Sequence, residues 1–431
     1  MIDRVTRRSV MQSVFATLAA TPILFANEQK ASEKNANERP VSGKTHQDFA
    51  PFDEMMMRFV EEHDVPGAAL AVTRNSRVVY SRGFGHADVE QKLPVRPDSL
   101  FRIASVSKPI TAVAVLQLVQ ASKFGLNDRV FDVLPATDWL PSKHDERLKR
   151  ISVKQLLQHT AGWDRDKSFD PIGVPHKVAT VVNHPLPVSP EDVVRYTLTL
   201  PLDFDPGTRH AYSNVGYLLL GRLIEKASGQ KYEAYVKEHV LKPVAVTRMQ
   251  LGRSGKEDLV PDEVHYDDAK NRTSPAVNGP HLGETVPLVY GGENFEAFEA
   301  HGGWIASAVD LVRFASDFDR PAASKLLKPK SIATMWARPE GEAGHQSDGQ
   351  PRDAYYGCGW SVRPVGDRGN GNTWHNGLIA GTSALLVRRF DGLNWAVLFN
   401  TDHDQHGKVL SGLIDSLIHK AADRVKHWPD R

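Results

Sequence analysis

Ser105-Val106-Ser107-Lys108, with Ile110, Val113, Leu116 and Val119 following at helical spacing, is the stretch on which the reading of this chain turns. Three positions apart on a helix, a serine and a lysine share one face. The Lys108 ammonium can then sit beside the Ser105 hydroxyl. A nearby cation stabilises a developing alkoxide, and a neutral lysine can accept its proton. The start of a helix adds free backbone N–H groups and a positive dipole. The string alone says little, because on the order of one match arises by chance in a chain this long at ordinary residue usage. A second copy, Ser228-Gly229-Gln230-Lys231, serves as a control. It ends a helix just before a glycine, where capping is the expected role.

Working outward, Phe52, Met55, Met56, Phe59 and Val60 recur at helical spacing and stop at Pro66-Gly67. Two strand-like runs follow, Ala68–Thr73 and Val78–Ser81, around Arg74-Asn75-Ser76-Arg77. From about residue 121 to 290, helical patterns dominate, as in Val153–His159, Glu191–Thr197 and Tyr217–Ala227. Loops rich in Pro, Asp and His, such as Asp164–Pro190, separate them. Strands return at Tyr356–Val362, Ala384–Arg389 and Trp395–Phe399, with a hairpin signal at Asp391-Gly392. An amphipathic helix closes the chain on Val409, Leu410, Leu413, Ile414, Leu417 and Ile418. The expected class is α+β: an antiparallel β-sheet flanked by N- and C-terminal helices, with a mostly helical inserted domain. The sheet domain is expected from residues 48–120 and 290–425, the insertion from 121–289.

The 431 residues allow core for two or three domains. Lys plus Arg is 53 and Asp plus Glu 52, so nothing in the balance would neutralise a run of phosphates, and nucleic acid is not an expected partner. Cys358 is the single cysteine, which excludes an intramolecular disulfide and cysteine-based metal sites. Arg7-Arg8 precedes a mildly apolar run to Ala26 and resembles a twin-arginine export signal over residues 1–26. Gln12, Ser13, Thr17 and Pro22 make that run too polar for a good membrane span, so no integral membrane segment is expected once it is removed. Residues 27–47 read as a polar linker. The expected location is periplasmic or extracellular. No feature of the sequence sets an oligomeric state.

Two further elements could serve Ser105. Tyr212-Ser213-Asn214 is the sole Tyr-x-Asn, placed on a loop by Pro206-Gly207 ahead of a helix. A phenol beside a lysine ammonium has a lowered pKa and can act as a general base. The Asn214 amide can hold Lys108 or a substrate carbonyl, and a capping role for Ser213 or Asn214 is an equal reading. His375-Asn376-Gly377 is the third element. Of three His-x-Gly strings, at His281, His301 and His375, this one precedes the late strand pair. Gly377 would let a strand edge approach closely. The Leu378 N–H could then join that of Ser105 as an oxyanion donor.

The order Ser-x-x-Lys, Tyr-x-Asn, (Lys/His)-x-Gly resembles the penicillin-recognising serine hydrolases, within them the class C β-lactamase-like group of esterases, D-aminopeptidases and DD-carboxypeptidases. Leu156-Leu157-Gln158-His159-Thr160-Ala161-Gly162 resembles that group's Leu-Leu-x-His-Thr-Ser-Gly segment. Gly302-Gly303-Trp304 with Ala308-Val309-Asp310-Leu311 resembles its Gly-Gly…Asp-Leu helix start. The likeness covers about residues 48–420 and implies a β-lactamase/transpeptidase-like fold without cofactor or metal. It implies Ser105 as nucleophile, Lys108 assisting its deprotonation and Tyr212 as general base that later protonates the leaving group. Asn214 would position Lys108 and substrate, and the N–H groups of Ser105 and Leu378 would form the oxyanion hole. His375 departs from the lysine of most true β-lactamases. A neutral imidazole there would weaken carboxylate recognition by roughly 1–3 kcal/mol. The resemblance therefore favours a small-molecule or short-peptide substrate with an ester or amide bond over a β-lactam.

Other readings compete. Asp402-His403-Asp404-Gln405-His406 is the densest histidine cluster, yet there is no His-Glu-x-x-His and Asp at a helix start can cap it. Trp163, Trp304, Trp360 and Trp374 could line a pocket or fill core. The alternative function is a penicillin-binding sensor that acylates and deacylates slowly. Steady hydrolysis of a p-nitrophenyl ester separates the two.

Overall fold

The computed structural model describes residues 39–366 and 370–429. The expected signal and most of the expected linker lie outside the described residues. At the linker's end the outcome differs: Val41–Ser42 already forms strand β1, and the Ser42 hydroxyl donates to the Val95 carbonyl. The sheet needs a partner for its outer edge, and this short segment supplies it.

The main sheet is antiparallel. Its strands are β1, β2 (Gly67–Arg74), β3 (Arg77–Asp88), β4 (Tyr355–Tyr356), β5 (Ser361–Val365), β6 (Asn370–Ile379), β7 (Thr382–Arg388) and β8 (Leu393–Phe399). In space they run β1-β3-β2-β8-β7-β6-β5-β4, with Leu93–Pro94 added beside β3. β2 and β8 pair in the centre, from Leu393 with Arg74 to Phe399 with Ala68, so the first and last thirds of the chain close one sheet. The β2–β3 turn places Asn75 and Ser76 both at positive φ, 51° and 65°, the geometry that matches strand twist in a two-residue hairpin.

The central strands are apolar on both faces, with period two deciding which side each residue serves. Leu70, Val72, Leu385, Val387, Trp395 and Val397 face helices α1 (Ala50–Glu62) and α5 (Leu410–Arg424). Ala69, Ala71, Ala384 and Ala396 face the other way, toward α2 (Ser107–Gln120) and α4 (Ala308–Ser316). Small side chains on that face let the helices come close. α2 is buried nearly all round, as expected of a helix inside a core. α4 begins with a capping box between Ser307 and Asp310.

The middle of the chain is mostly helical. It includes Val153–Leu157, Pro190–Thr197 and the central helix α3 (Asn214–Ser228). Two expectations change here. Part of Asp164–Pro190 is helical, over Pro175–Val182, where Pro175 occupies the first helical position and needs no donor. The middle region also pairs as strand: Gln250–Leu251 joins Trp304–Ala306, which joins Phe101–Arg102. The described residues from Pro40 onward form one compact unit. Trp304 and Trp360 are fully buried core, and Trp163 packs with them. Among the described residues no helix is long and apolar enough to cross a membrane.

Candidate active site

Ser105 lies in a single 3-10 turn, Ala104–Val106, immediately before α2. Ala104 holds φ at +45°, a left-handed conformation that costs an alanine energy and that the surrounding structure must impose. Ser105 keeps a partly open face, whereas Lys108, one turn on, is fully buried. Three atoms surround the Lys108 Nζ: Ser105 Oγ at 3.0 Å, Asn214 Oδ1 at 2.8 Å and the His301 carbonyl oxygen at 2.8 Å. Burial pushes the Lys108 pKa well below its ordinary 10.5, although Asp170 opposes the shift. A neutral amine has two N–H groups and one lone pair. The two oxygens of Asn214 and His301 take the N–H groups, and the lone pair is left for the Ser105 hydroxyl.

Ser213 caps α3, its hydroxyl accepting from the Gly216 N–H. That cap fixes the two neighbours. Asn214 turns inward, its Oδ1 on Lys108 and its Nδ2 donating to Asp170 Oδ2 at 2.6 Å. Tyr212 brings its ring to 4.7 Å from the Lys108 Nζ, and its phenol lies near enough to Ser105 for that hydroxyl to favour the phenolate. The expected lowering of its pKa does not occur. Burial raises it, and the contributions of Ser105 and Arg165 only reduce the rise. The reason is that burial of the phenol outweighs the charges and hydroxyl around it.

His375 lies within β6, the strand that comes before the late pair β7 and β8. β6 pairs with β5 only as far as Trp374, so residues 375–379 carry a bare edge on that side. Gly377 sits where this edge meets the nucleophile turn: a Cβ there would lie 2.2 Å from the Ile103 carbonyl oxygen and 3.2 Å from the Ala104 Cβ. The close approach is to backbone beside Ser105. The His375 imidazole is buried and pushed down to about 3 by burial and by Lys108. Its Nδ1 donates to the Asn376 carbonyl at 2.7 Å, leaving Nε2 to accept the Tyr356 hydroxyl at 2.8 Å.

Ser105, Asn214 and Leu378 line a cleft of about 660 Å³, to which Tyr212, His375 and Gly377 do not contribute walls. Tyr356 lines a second hollow, of about 480 Å³. The control string behaves differently. The Ser228 hydroxyl donates to the Ile224 carbonyl and accepts from the Gln230 N–H, as a helix-end residue should.

Several residues at the site had no local signal. Asp170 and Arg165 come from the long loop of the middle region. His301, from a His-x-Gly string set aside, contributes its carbonyl. His159, by contrast, belongs to the quoted Leu156–Gly162 segment; it sits between the Tyr212 and Tyr356 rings, at 4.2 Å and 4.5 Å, and its Nδ1 accepts the Ser213 N–H. The Asp402–His406 carboxylates do not cap the final helix. Asp402 receives Arg272, and Asp404 receives the His406 and Lys408 N–H groups and the His63 ring.

Comparison with known proteins places this geometry. The curated relatives include a probable fimbrial assembly protein FimD, serogroup H1, of Dichelobacter nodosus, 30% identical over 50% of each chain. They also include penicillin-binding protein 4* of Bacillus subtilis, 28% identical over 77% of this chain and 67% of that one. The chain spans about half the length of the first curated relatives it matches. Among solved structures, a D-stereospecific amidohydrolase from Streptomyces sp. superposes with a TM-score of 0.61 at 22% identity, covering 88% of this chain and 97% of that one. The family model described as Beta-lactamase matches residues 52–417. That match runs from within α1 to within α5 and takes in every strand of the main sheet except β1, and the chain belongs to the Beta-lactamase family.

Proposed function

We propose that the protein hydrolyses ester or amide bonds through a covalent acyl-enzyme on Ser105, with Lys108 as the resting base and Tyr212 as the proton donor. The observation that carries this reading is the buried Lys108 amine, 3.0 Å from the Ser105 hydroxyl and donating to the Asn214 and His301 oxygens. The Ser105 proton passes to the Lys108 lone pair as Oγ attacks the carbonyl carbon. The oxyanion is met by the Ser105 and Leu378 N–H groups. As the carbon–heteroatom bond breaks, the Tyr212 phenol protonates the leaving group. The phenolate then recovers a proton from the Lys108 ammonium, so the net transfer is from serine to leaving group. Water attacks the acyl-enzyme by the reverse relay, giving its proton to the same pair and returning Oγ–H.

His375, neutral and committed on both nitrogens, offers no charge to a carboxylate. This favours an esterase or D-peptidase-like substrate over a β-lactam. The relatives' names, an amidohydrolase and a penicillin-binding protein, support the same range. Export by a twin-arginine signal over residues 1–26 is part of the proposal, tested by the N-terminus of the mature protein.

The experiment is labelling with a fluorophosphonate, located by mass spectrometry, together with steady-state hydrolysis of a p-nitrophenyl ester. Label on Ser105 with continued turnover is expected. Label elsewhere ends the proposal, and a single stoichiometric burst favours the slow-deacylating sensor.

A further inference from the structure

The cleft beside Ser105 has a polar end that the hydrolytic machinery does not use. Ile172, Val277, Leu288 and Ile379 give the cleft apolar walls, and Glu293 borders it with Arg272 and Asp402. Glu293 is half-buried, its carboxyl group set among protein atoms at the edge of the cleft. Its carboxylate makes no hydrogen bond or ion pair among the described residues. Such a group is costly to leave alone, because a buried charge needs a partner.

The neighbouring cations are already committed. Arg272 is gripped by Asp268, through Nε and Nη2, and donates to Asp402 at 2.7 Å. Arg102 gives its two terminal nitrogens to the Val289 and Arg253 carbonyls, both at 2.7 Å. Both arginines still attract negative charge to Glu293, while Asp268 and Asp402 repel it, and burial outweighs the attraction, pushing the carboxyl up to about 7. Glu293 thus stands as an acceptor with no donor, at the edge of a cleft whose apolar walls lead from Ser105.

Resting on the Ser105 acyl-enzyme reading, we propose that Glu293 binds an ammonium group carried by the acyl part of the substrate. The side of the scissile bond follows from Tyr212. The leaving group must reach that phenol, which does not line this cleft, so the group that fills the cleft is the acyl chain. The substrate class is then an ester or amide of an amino-bearing acid with an apolar stem.

The test uses p-nitrophenyl esters whose acyl chains of increasing length end in ammonium, in methyl or in carboxylate. The rate of acylation is read, so the result holds whether or not the acyl-enzyme turns over. For some length, the ammonium-ended ester is expected to acylate faster than its methyl-ended counterpart. Glu293→Gln should lower that advantage, read as the ratio of ammonium-ended to methyl-ended rates, roughly tenfold to a hundredfold, the weight of a charge-assisted contact. Glu293→Asp should retain the advantage at a longer chain. The advantage should also fade as pH drops through neutrality, as Glu293 takes up a proton. No ammonium preference at any length, or one that survives Glu293→Gln, overturns the proposal. A preference for carboxylate-ended chains also overturns it, pointing instead to Lys177 on the same cleft. Fluorophosphonate labelling of Ser105 in the same variants separates these outcomes from failure of the hydrolase reading.

Discussion

The Lys108 Nζ stands 3.0 Å from the Ser105 Oγ, and its other two contacts are oxygens that can only accept. Burial holds the amine toward its neutral form, so the lone pair meets the hydroxyl it must deprotonate. Activity needs the unprotonated amine. The acid limb of kcat/KM should therefore fall well below the 10.5 of an ordinary lysine, with activity lost as pH drops through that limb. Lys108→Arg keeps charge and approximate length yet cannot deprotonate, and should remove the acylation reaction. A pH–rate profile of p-nitrophenyl ester acylation checks both. A limb near the ordinary lysine value would move the base elsewhere.

Ser105→Ala should abolish turnover and covalent labelling, whereas Ser228→Ala should leave both near normal. The two serines share the Ser-x-x-Lys string and differ in what surrounds them. Ser228 spends its hydroxyl on the turn that ends α3, and Lys231 is exposed. Loss of that local bond costs about 1 kcal/mol of stability, readable as a small drop in Tm.

Tyr212→Phe should slow acylation by about 10²–10⁴ if the phenol is the proton donor. The loss should depend on the leaving group. A p-nitrophenolate departs without a proton, so the variant should lose least on that ester and most on an amide or an alkyl ester. An equal loss on all three would mean that Tyr212 positions Lys108 rather than delivering a proton.

His375 is pushed down to about 3 by its burial and by Lys108, so it stays neutral wherever the protein works. Acylation by benzylpenicillin should show no limb at the ordinary histidine value of about 6.5. A measured gain in acylation below that pH would mean that the imidazole charges and grips the substrate carboxylate, against the environment found for it.

Much of the architecture could be read because each local rule agreed with the tertiary outcome. Short apolar runs marked β2, β7 and β8, and the turns at Arg74–Arg77 and Asp391-Gly392 marked their hairpins. The amphipathic pattern marked α5, whose Leu410, Ile414 and Ile418 all enter the core. β6 was harder: Asn370–Ile379 mixes Asn, Gly and His and has no apolar alternation, since half its length is a bare edge built for the site. The pieces of the site contributed by backbone or by distant loops left no trace in sequence. The His301 carbonyl carries no side-chain signal at all, and Asp170 meets Asn214 only because a loop 44 residues earlier folds across α3. The Tyr212 pKa is illegible for a related reason: spacing brings a lysine near a phenol, but the burial of that phenol comes from the tertiary fold.

Gly377 gives the sharpest test of positioning. A Cβ at this residue would fall 2.2 Å from the Ile103 carbonyl oxygen, and both obstacles are backbone-fixed, so β6 and the Ser105 turn must move apart. The Leu378 N–H would move with its strand, away from the place where the oxyanion forms. A misplacement of about 1 Å in such a donor costs roughly 10²-fold in rate. Gly371→Ala on the same strand is the matched control, since its Cβ would meet the Arg363 carbonyl oxygen at 3.4 Å, an ordinary contact. Acylation rates should fall about a hundredfold in Gly377→Ala and stay near normal in Gly371→Ala, with Ser105 still labelled slowly in the first and thermal melts showing both variants folded. Equal rates in the two variants would mean that the β6 edge does not take part in stabilising the oxyanion, leaving the Ser105 N–H to act without it.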